Sequence, residues 1–107
     1  MSSYYIERDG VPVRATLEEF SELYKEDGEV RQRRVALDVF SNGYTVSTVF
    51  LGIDHNHFGI GPPILYETMV WREDGVWEDY QERYSSRADA LRGHAQAVAT
   101  YIGKDPP

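Results

Sequence analysis

A short segment near the middle of the chain carries the residue types best suited to chemistry. Asp54, His55 and His57 stand almost side by side, and the chain holds only 3 histidines. A carboxylate beside imidazoles can ligate a metal ion or move protons near neutral pH. In extended chain, side chains two positions apart point the same way, so His55 and His57 would face a common ligand. Glu67, on the next apolar run, could join them.

This segment, residues 54–63, joins two apolar runs and is called the central loop below. Gly59 and Gly61 permit backbone conformations closed to other residues, which would let the chain approach a ligand closely. The candidate residues for binding a ligand or partner are Asp54, His55, His57, Gly59, Gly61 and Glu67.

Three interpretations of the central loop compete. The first is a metal site formed by Asp54, His55 and His57. The second is an acid–base site in which a histidine works with Asp54 or Glu67, as in a small hydrolase or a ligand-sequestering protein. The third is an ordered surface loop whose polar groups satisfy its own backbone or bind a partner. We favour the third, because Asp-His-Asn-His is not an established ligand spacing and no nucleophile motif accompanies it.

Composition excludes several classes of site. The chain has no cysteine, which removes thiolate nucleophiles, disulfides and cysteine-ligated metals. It also lacks a Walker loop, a nucleophile elbow and a dinucleotide fingerprint. We therefore expect no cofactor, and lean towards a protein that is not an enzyme.

Charge and hydropathy limit the partners. The formal net charge of −7 repels phosphate backbones, so direct nucleic-acid binding is not expected. No run approaches the roughly 20 apolar residues of a membrane span, and no signal peptide is evident, so we expect a cytoplasmic protein. The basic cluster of Arg31, Arg33 and Arg34 is interpreted as a solvated edge at the start of a strand.

Turn signals divide the 107 residues into hairpins within a single domain, 1–107. The pairs Asp9-Gly10, Asn42-Gly43 and Asp74-Gly75 supply the positive φ angles that tight hairpin turns need. The predicted strand pairs are 4–7 with 11–15, 33–40 with 44–53, and 66–73 with 76–84.

Two helices fit between and after these hairpins. The first begins at Thr16, which forms a capping box with Glu19, and ends at Gly28; its apolar residues are Leu17, Phe20, Leu23 and Tyr24. The second begins near Ser86, with Asp89 at the third position, and ends at Gly103. Its predicted apolar stripe is Leu91, Ala95, Val98 and Ile102. The order ββ-α-ββ-ββ-α predicts an α+β fold, with one antiparallel sheet built from three hairpins and both amphipathic helices packed on it.

Several single residues bear on the packing. Glu67 lies on an interior strand, where it belongs either to a site or to an ion pair with Arg72 or Arg83. His94 is predicted to be half-buried with a backbone partner, beside Gly93, which would allow close packing on the sheet.

Two features bear on sheet surfaces. Trp71 and Trp77 flank the last turn, and are expected to face each other across the hairpin. The strand at 44–53 is apolar on both faces, with Val49, Leu51 and Ile53 on one side, which predicts a central strand covered on both sides or an interface in a homodimer.

Part of the sequence resembles a group of small proteins from bacteriophages, prophages and actinobacterial-type genomes. The likeness lies in the block VSTVFLGIDH at 46–55, then GPP at 61–63 and ETMV at 67–70, with weaker similarity at 4–10, 83–85 and 93–94. The chain departs from the group at His57 and Ile60. The resemblance implies a phage or mobile-element setting, in which small acidic accessory proteins bind host factors. We therefore expect a non-enzymatic binding or inhibitory module that acts on a host or phage protein or a defence component.

Overall fold

The computed structural model describes residues 3–22 and 33–107 as an α+β fold with two antiparallel sheets. The first sheet is the hairpin of β1 (Tyr4–Arg8) and β2 (Val11–Ala15), which is followed by α1 (Leu17–Ser21). The second, called the main sheet below, contains β3 (Arg34–Val39), β4 (Tyr44–Phe50), β5 (Tyr66–Arg72) and β6 (Trp77–Tyr84) in that spatial order. The chain then forms α2 (Arg87–Tyr101). The α+β class and the antiparallel pairing in each predicted hairpin are confirmed.

The prediction of a single sheet is wrong, because the first hairpin does not join the main sheet through a ladder. Its contact with the segment after β4 is one isolated bridge, between Tyr4 and Ile53, with a hydrogen bond of 2.8 Å from Tyr5 N to Gly52 O. Gly52 has a φ of +76°, a conformation that turns the chain out of the sheet. The strand predicted to reach residue 53 therefore ends at Phe50.

A half-buried carboxylate links the two sheets. Glu7 on β1 accepts a hydrogen bond of 2.6 Å from the Tyr66 hydroxyl on β5. Arg87, at the start of α2, donates to both Glu7 oxygens at 3.0 Å. Burial of the hydroxyl, together with its bond to Glu7, raises the pKa of Tyr66 above the ordinary value. The hairpin is thus fixed to the main sheet by side chains rather than by backbone pairing.

The capping box predicted for α1 is present. Glu19 N donates to Thr16 Oγ1 at 3.2 Å, and Thr16 N donates to Glu19 Oε1 at 2.9 Å. Phe20 is buried and its ring lies 5.0 Å from that of Tyr4, so α1 packs on the first hairpin. The remaining predicted helical residues Leu23, Tyr24 and Gly28, together with Arg31, lie outside the described residues.

The predicted start of α2 is confirmed, but of its predicted apolar stripe only Val98 packs against the core, and the other three residues are exposed. Ser86 caps the helix by accepting from Asp89 N at 3.1 Å. Leu91 is 45% exposed and Ile102 is 59% exposed. The residues that α2 buries instead are Ala90, Gly93, His94, Ala97 and Tyr101.

Three small residues, Ala90, Gly93 and Ala97, let the buried face of α2 lie close to the sheet. A Cβ added at Gly93 would collide with the phenol of Tyr84, so only glycine lets the helix approach the sheet this closely. The end of α2 is held by the β3–β4 turn, where Asn42 Nδ2 donates to Tyr101 O at 2.8 Å and to Lys104 O at 2.9 Å. Asn42 therefore caps a distant helix as well as forming the hairpin turn.

Two apolar clusters lie between α2 and the main sheet. One consists of Tyr44, Val46, Val70, Ala97 and Tyr101. The other consists of Phe50, Leu65, Tyr66 and Ala90. Thr48 and Thr68 lie between them on β4 and β5 and are fully buried, so their hydroxyls must find partners inside the protein.

Those partners form a hydrogen-bond chain that crosses the protein, made of Tyr84, Thr68, Thr48, His94 and Asp38. Thr48 Oγ1 lies 2.6 Å from Thr68 Oγ1 and 2.7 Å from His94 Nδ1. His94 Nε2 lies 2.7 Å from Asp38 Oδ2, and the Tyr84 hydroxyl is hydrogen-bonded to Thr68. Each strand of the main sheet contributes one member, and α2 contributes the histidine. The prediction of a half-buried His94 with a backbone partner is therefore wrong.

One placement of hydrogens satisfies this chain when the imidazole is neutral. An ionised carboxylate only accepts, so His94 Nε2–H donates to Asp38 and His94 Nδ1 must accept from Thr48. Thr48 then accepts from Thr68. The order of donors resembles a catalytic triad, but Thr48 is fully buried and no substrate can reach it. The chain is therefore structural.

Replacing Thr48 by valine should test the hydrogen-bond chain. Thr48→Val keeps the shape of the side chain but removes the buried hydrogen bonds to Thr68 Oγ1 and His94 Nδ1, so the free energy of unfolding should fall by about 1–3 kcal/mol. Thr45→Val is the matched control on the other face of β4, and should change stability by less than about 0.5 kcal/mol. Urea unfolding at pH 7 measures both, and equal effects would contradict the assignment.

Replacing Gly93 by alanine should test the close approach of α2. Alanine favours a helix by about 1 kcal/mol over glycine, yet Gly93→Ala should destabilise the protein because its methyl group meets Tyr84. In a Tyr84→Ala background the same change should stabilise. A double-mutant cycle in urea measures the coupling, and a stabilising Gly93→Ala in the wild-type background would refute it.

Candidate functional site

The central loop is closed by the carboxylate of Asp54. Asp54 Oδ1 accepts from Asn56 N at 2.8 Å and from Ile64 N at 2.9 Å, so one oxygen joins the two ends of the loop. A backbone bond of 2.9 Å from His55 N to Ile64 O reinforces this closure. Asp54 therefore serves the loop backbone, as the third interpretation predicts.

Asn56 braces the interior of the loop. Its Nδ2 donates to Ile60 O at 2.7 Å and to Pro62 O at 3.0 Å. Its Oδ1 accepts from Phe58 N at 3.2 Å. One side chain thus fixes three backbone groups across the loop, which is how an irregular segment can hold a single shape.

The two histidines of the loop line one cavity together with Asp54, but they differ in exposure and in bonding. His55 Nδ1 donates to Ile53 O at 2.7 Å, which leaves Nε2 as the available ring nitrogen. The His57 ring is exposed, and its centroid lies 6.3 Å from that of His55. Both line a polar cavity of about 530 Å³ beside the loop.

The structure does not group Asp54, His55 and His57 as a set of metal ligands. Among residues 3–22 and 33–107, no three His, Asp or Glu side chains are placed to hold a metal ion. The physical reason is that Asp54 Oδ1 and His55 Nδ1 are turned to backbone groups of the same segment.

Glu67 lies apart from the central loop. It projects from the face of the main sheet opposite α2, and lines a different cavity from the one beside the loop. Glu67 Oε2 accepts from Gln81 Nε2 at 2.6 Å and from Arg83 Nε at 2.9 Å. The ion pair predicted with Arg83 is confirmed, whereas Arg72 pairs with Asp74 at 3.1 Å. The structure does not bring Glu67 together with the histidines.

The most exposed large apolar side chains of the described residues lie at the tip of the central loop. Phe58 is 89% exposed and Ile60 is 83% exposed. Gly59 stands between them with a φ of +70°, and a Cβ there would meet nothing within 4 Å. Sequence reasoning concentrated on the polar residues and missed this pair. The signal was two large apolar residues inside a segment rich in glycine and proline.

Comparison with known proteins does not assign the chain to a family. No protein-family model matches the chain, and neither a curated protein nor a solved structure matches it. In the part of the chain that the structure describes, no helix is long and apolar enough to cross a membrane. The surfaces of the chain itself therefore indicate what it can bind.

Removing the amide of Asn56 should loosen the central loop without unfolding the protein. Asn56→Ala deletes the bonds to Phe58 N, Ile60 O and Pro62 O, so backbone amides across 57–61 should exchange faster with solvent. Asn42→Ala is the matched control, since it should speed exchange at the end of α2 instead. Hydrogen exchange followed by NMR measures both, and unchanged exchange in the loop would contradict the bracing role.

Proposed function

We propose that the protein is a non-enzymatic binding module that engages a protein partner through the tip of its central loop. The observation that carries this proposal is the exposure of Phe58 and Ile60 on a loop that is braced from within. Exposed apolar side chains are common singly, but a neighbouring pair on an ordered protrusion is typical of an interface.

The bracing supports tight binding. A loop that already holds its bound shape loses less conformational entropy on association, so more of the contact energy appears as affinity. Asp54 and Asn56 supply that order through side chain to backbone bonds. The polar cavity lined by His55 and His57 lies beside the apolar tip, which gives the apolar centre and polar rim usual in protein interfaces.

The net charge and the resemblance to phage proteins limit which kinds of protein could be the partner. A net charge of −7 favours encounter with a protein that carries a basic surface. The resemblance to small phage and prophage proteins suggests that this partner is a host protein or defence component. A small hydrolase or ligand-sequestering site built from the central loop and Glu67 would need those side chains in one place, whereas Glu67 lines a different cavity from the loop residues.

Replacing either apolar residue of the loop tip should weaken partner binding while leaving the fold intact. Phe58→Ser and Ile60→Ser remove exposed side chains, so thermal stability should change little, whereas affinity for a captured host protein should fall about 30-fold or more. Val11→Ser, at a 58% exposed apolar residue on β2, is the control and should bind as the wild type does.

Immobilised protein and quantitative mass spectrometry of bacterial lysate would measure this comparison. A partner retained by the wild type and the Val11 control, but lost by both tip variants, supports the proposal. Equal capture by all four proteins would remove the loop tip as the recognition element.

A further inference from the structure

The face of the main sheet opposite α2, called the open face below, has an ordered arrangement of side chains. The strand register aligns Arg34 with Val49, Val49 with Glu67, and Glu67 with Arg83, which places them in one row across four strands. A second row consists of Leu37, Ser47, Met69 and Gln81. The first row is charged except at Val49, and the second is apolar or neutral.

A cavity of about 460 Å³ lies on this face, within the roughly 300–1,000 Å³ range of small-molecule sites. Most of its wall is apolar, contributed by Leu37, Val49, Leu51, Met69 and Trp71. Because these side chains stand on adjacent strands of one sheet, the floor of the cavity is broad rather than deep. Such a surface suits a flat apolar group better than a branched one.

Two polar groups at the cavity have unused bonding capacity. Both hydrogen bonds to Glu67 fall on Oε2, and no bond to Oε1 joins it to another of the described residues, although the side chain is only 10% exposed. Arg34 is exposed and forms no ion pair within residues 3–22 and 33–107. Their strands are separated by β4, which puts their backbones roughly 10 Å apart.

Charge determines what these two groups can hold. Arg83 already compensates Glu67, and Arg33, which also lines the cavity, is engaged in another interaction. Arg34 lacks a counter-charge among the described residues, so one anionic group on a ligand would match it. A carboxylate fits the planar guanidinium fork of arginine in a bidentate manner. A second anionic group would meet the Glu67 carboxylate and be repelled, while Oε1 accepts an N–H or O–H.

We propose that the open-face cavity binds a small, flat, monoanionic aromatic acid. Its carboxylate pairs with Arg34, its ring lies across Leu37, Val49 and Met69, and an N–H or O–H on the ring donates to Glu67 Oε1. This site lies on the main sheet and not on the central loop, so it goes beyond the proposed protein-binding role and does not depend on it.

Three probe compounds test the proposal by isothermal titration and by NMR shifts of ¹⁵N-labelled protein. Indole-3-acetate has the ring, the carboxylate and an N–H; 1-naphthaleneacetate lacks the N–H; tryptamine keeps the N–H but carries a cation. Indole-3-acetate should bind saturably and shift the amide signals of β3, β4 and β5. We expect 1-naphthaleneacetate to bind more weakly, and tryptamine to bind more weakly still.

Three variants complete the test. Arg34→Gln should lower the affinity for indole-3-acetate about tenfold or more, because the charged hydrogen bond to the carboxylate is lost. Arg92→Gln, an exposed arginine on α2, and Phe58→Ser at the loop tip should leave its affinity unchanged. No saturable binding at millimolar indole-3-acetate, shifts confined to the central loop, or tryptamine binding as tightly would overturn the proposal. Equal affinity for 1-naphthaleneacetate would overturn the role of Glu67.

Discussion

The hydrogen-bond chain from Tyr84 through Thr68, Thr48 and His94 to Asp38 is the constraint on which the main sheet depends. A buried hydroxyl or imidazole without a hydrogen-bond partner lowers the stability of the fold by about 1–3 kcal/mol. The two threonines and the histidine must therefore be placed within hydrogen-bond distance of one another. Because successive side chains on a strand alternate between faces, a slip of one residue in any strand would break the chain. The same requirement fixes the rotation of α2, since only one face of the helix presents His94 to Thr48.

The hydrogen bond between His94 and Thr48 requires α2 to lie close to the sheet. The ring of His94 reaches Thr48 because Gly93, Ala90 and Ala97 leave room for the helix to settle on the strands. Other large apolar residues lie on the outside of α2, on the open face and at the loop tip, which are the surfaces that remain for recognition.

In the central loop too, polar residues stabilise the structure and apolar residues remain exposed. Its polar residues are engaged by the loop itself, with Asp54 closing the ends and Asn56 fixing the tip. The side chains that remain free to contact other molecules are the apolar Phe58 and Ile60 together with the exposed His57. Residue types that suggest catalysis in a sequence can thus serve as scaffolding, because satisfying buried backbone groups uses the same oxygens and nitrogens.

Local chemistry alone determined the hairpin turns at Gly10, Gly43 and Gly75, and the helix starts at Thr16 and Ser86, because turns and caps are decided by residues a few positions apart. For the same reason, the facing pair Trp71 and Trp77 could be predicted from the turn between them. The tertiary structure decided what depends on distant partners. It separated the first hairpin from the main sheet, and it paired Glu67 with Arg83 rather than with the loop histidines. It also buried His94 in place of Leu91. The hydropathy of a helix carries no information about the threonine hydroxyl and the tyrosine ring on the sheet against which the helix packs.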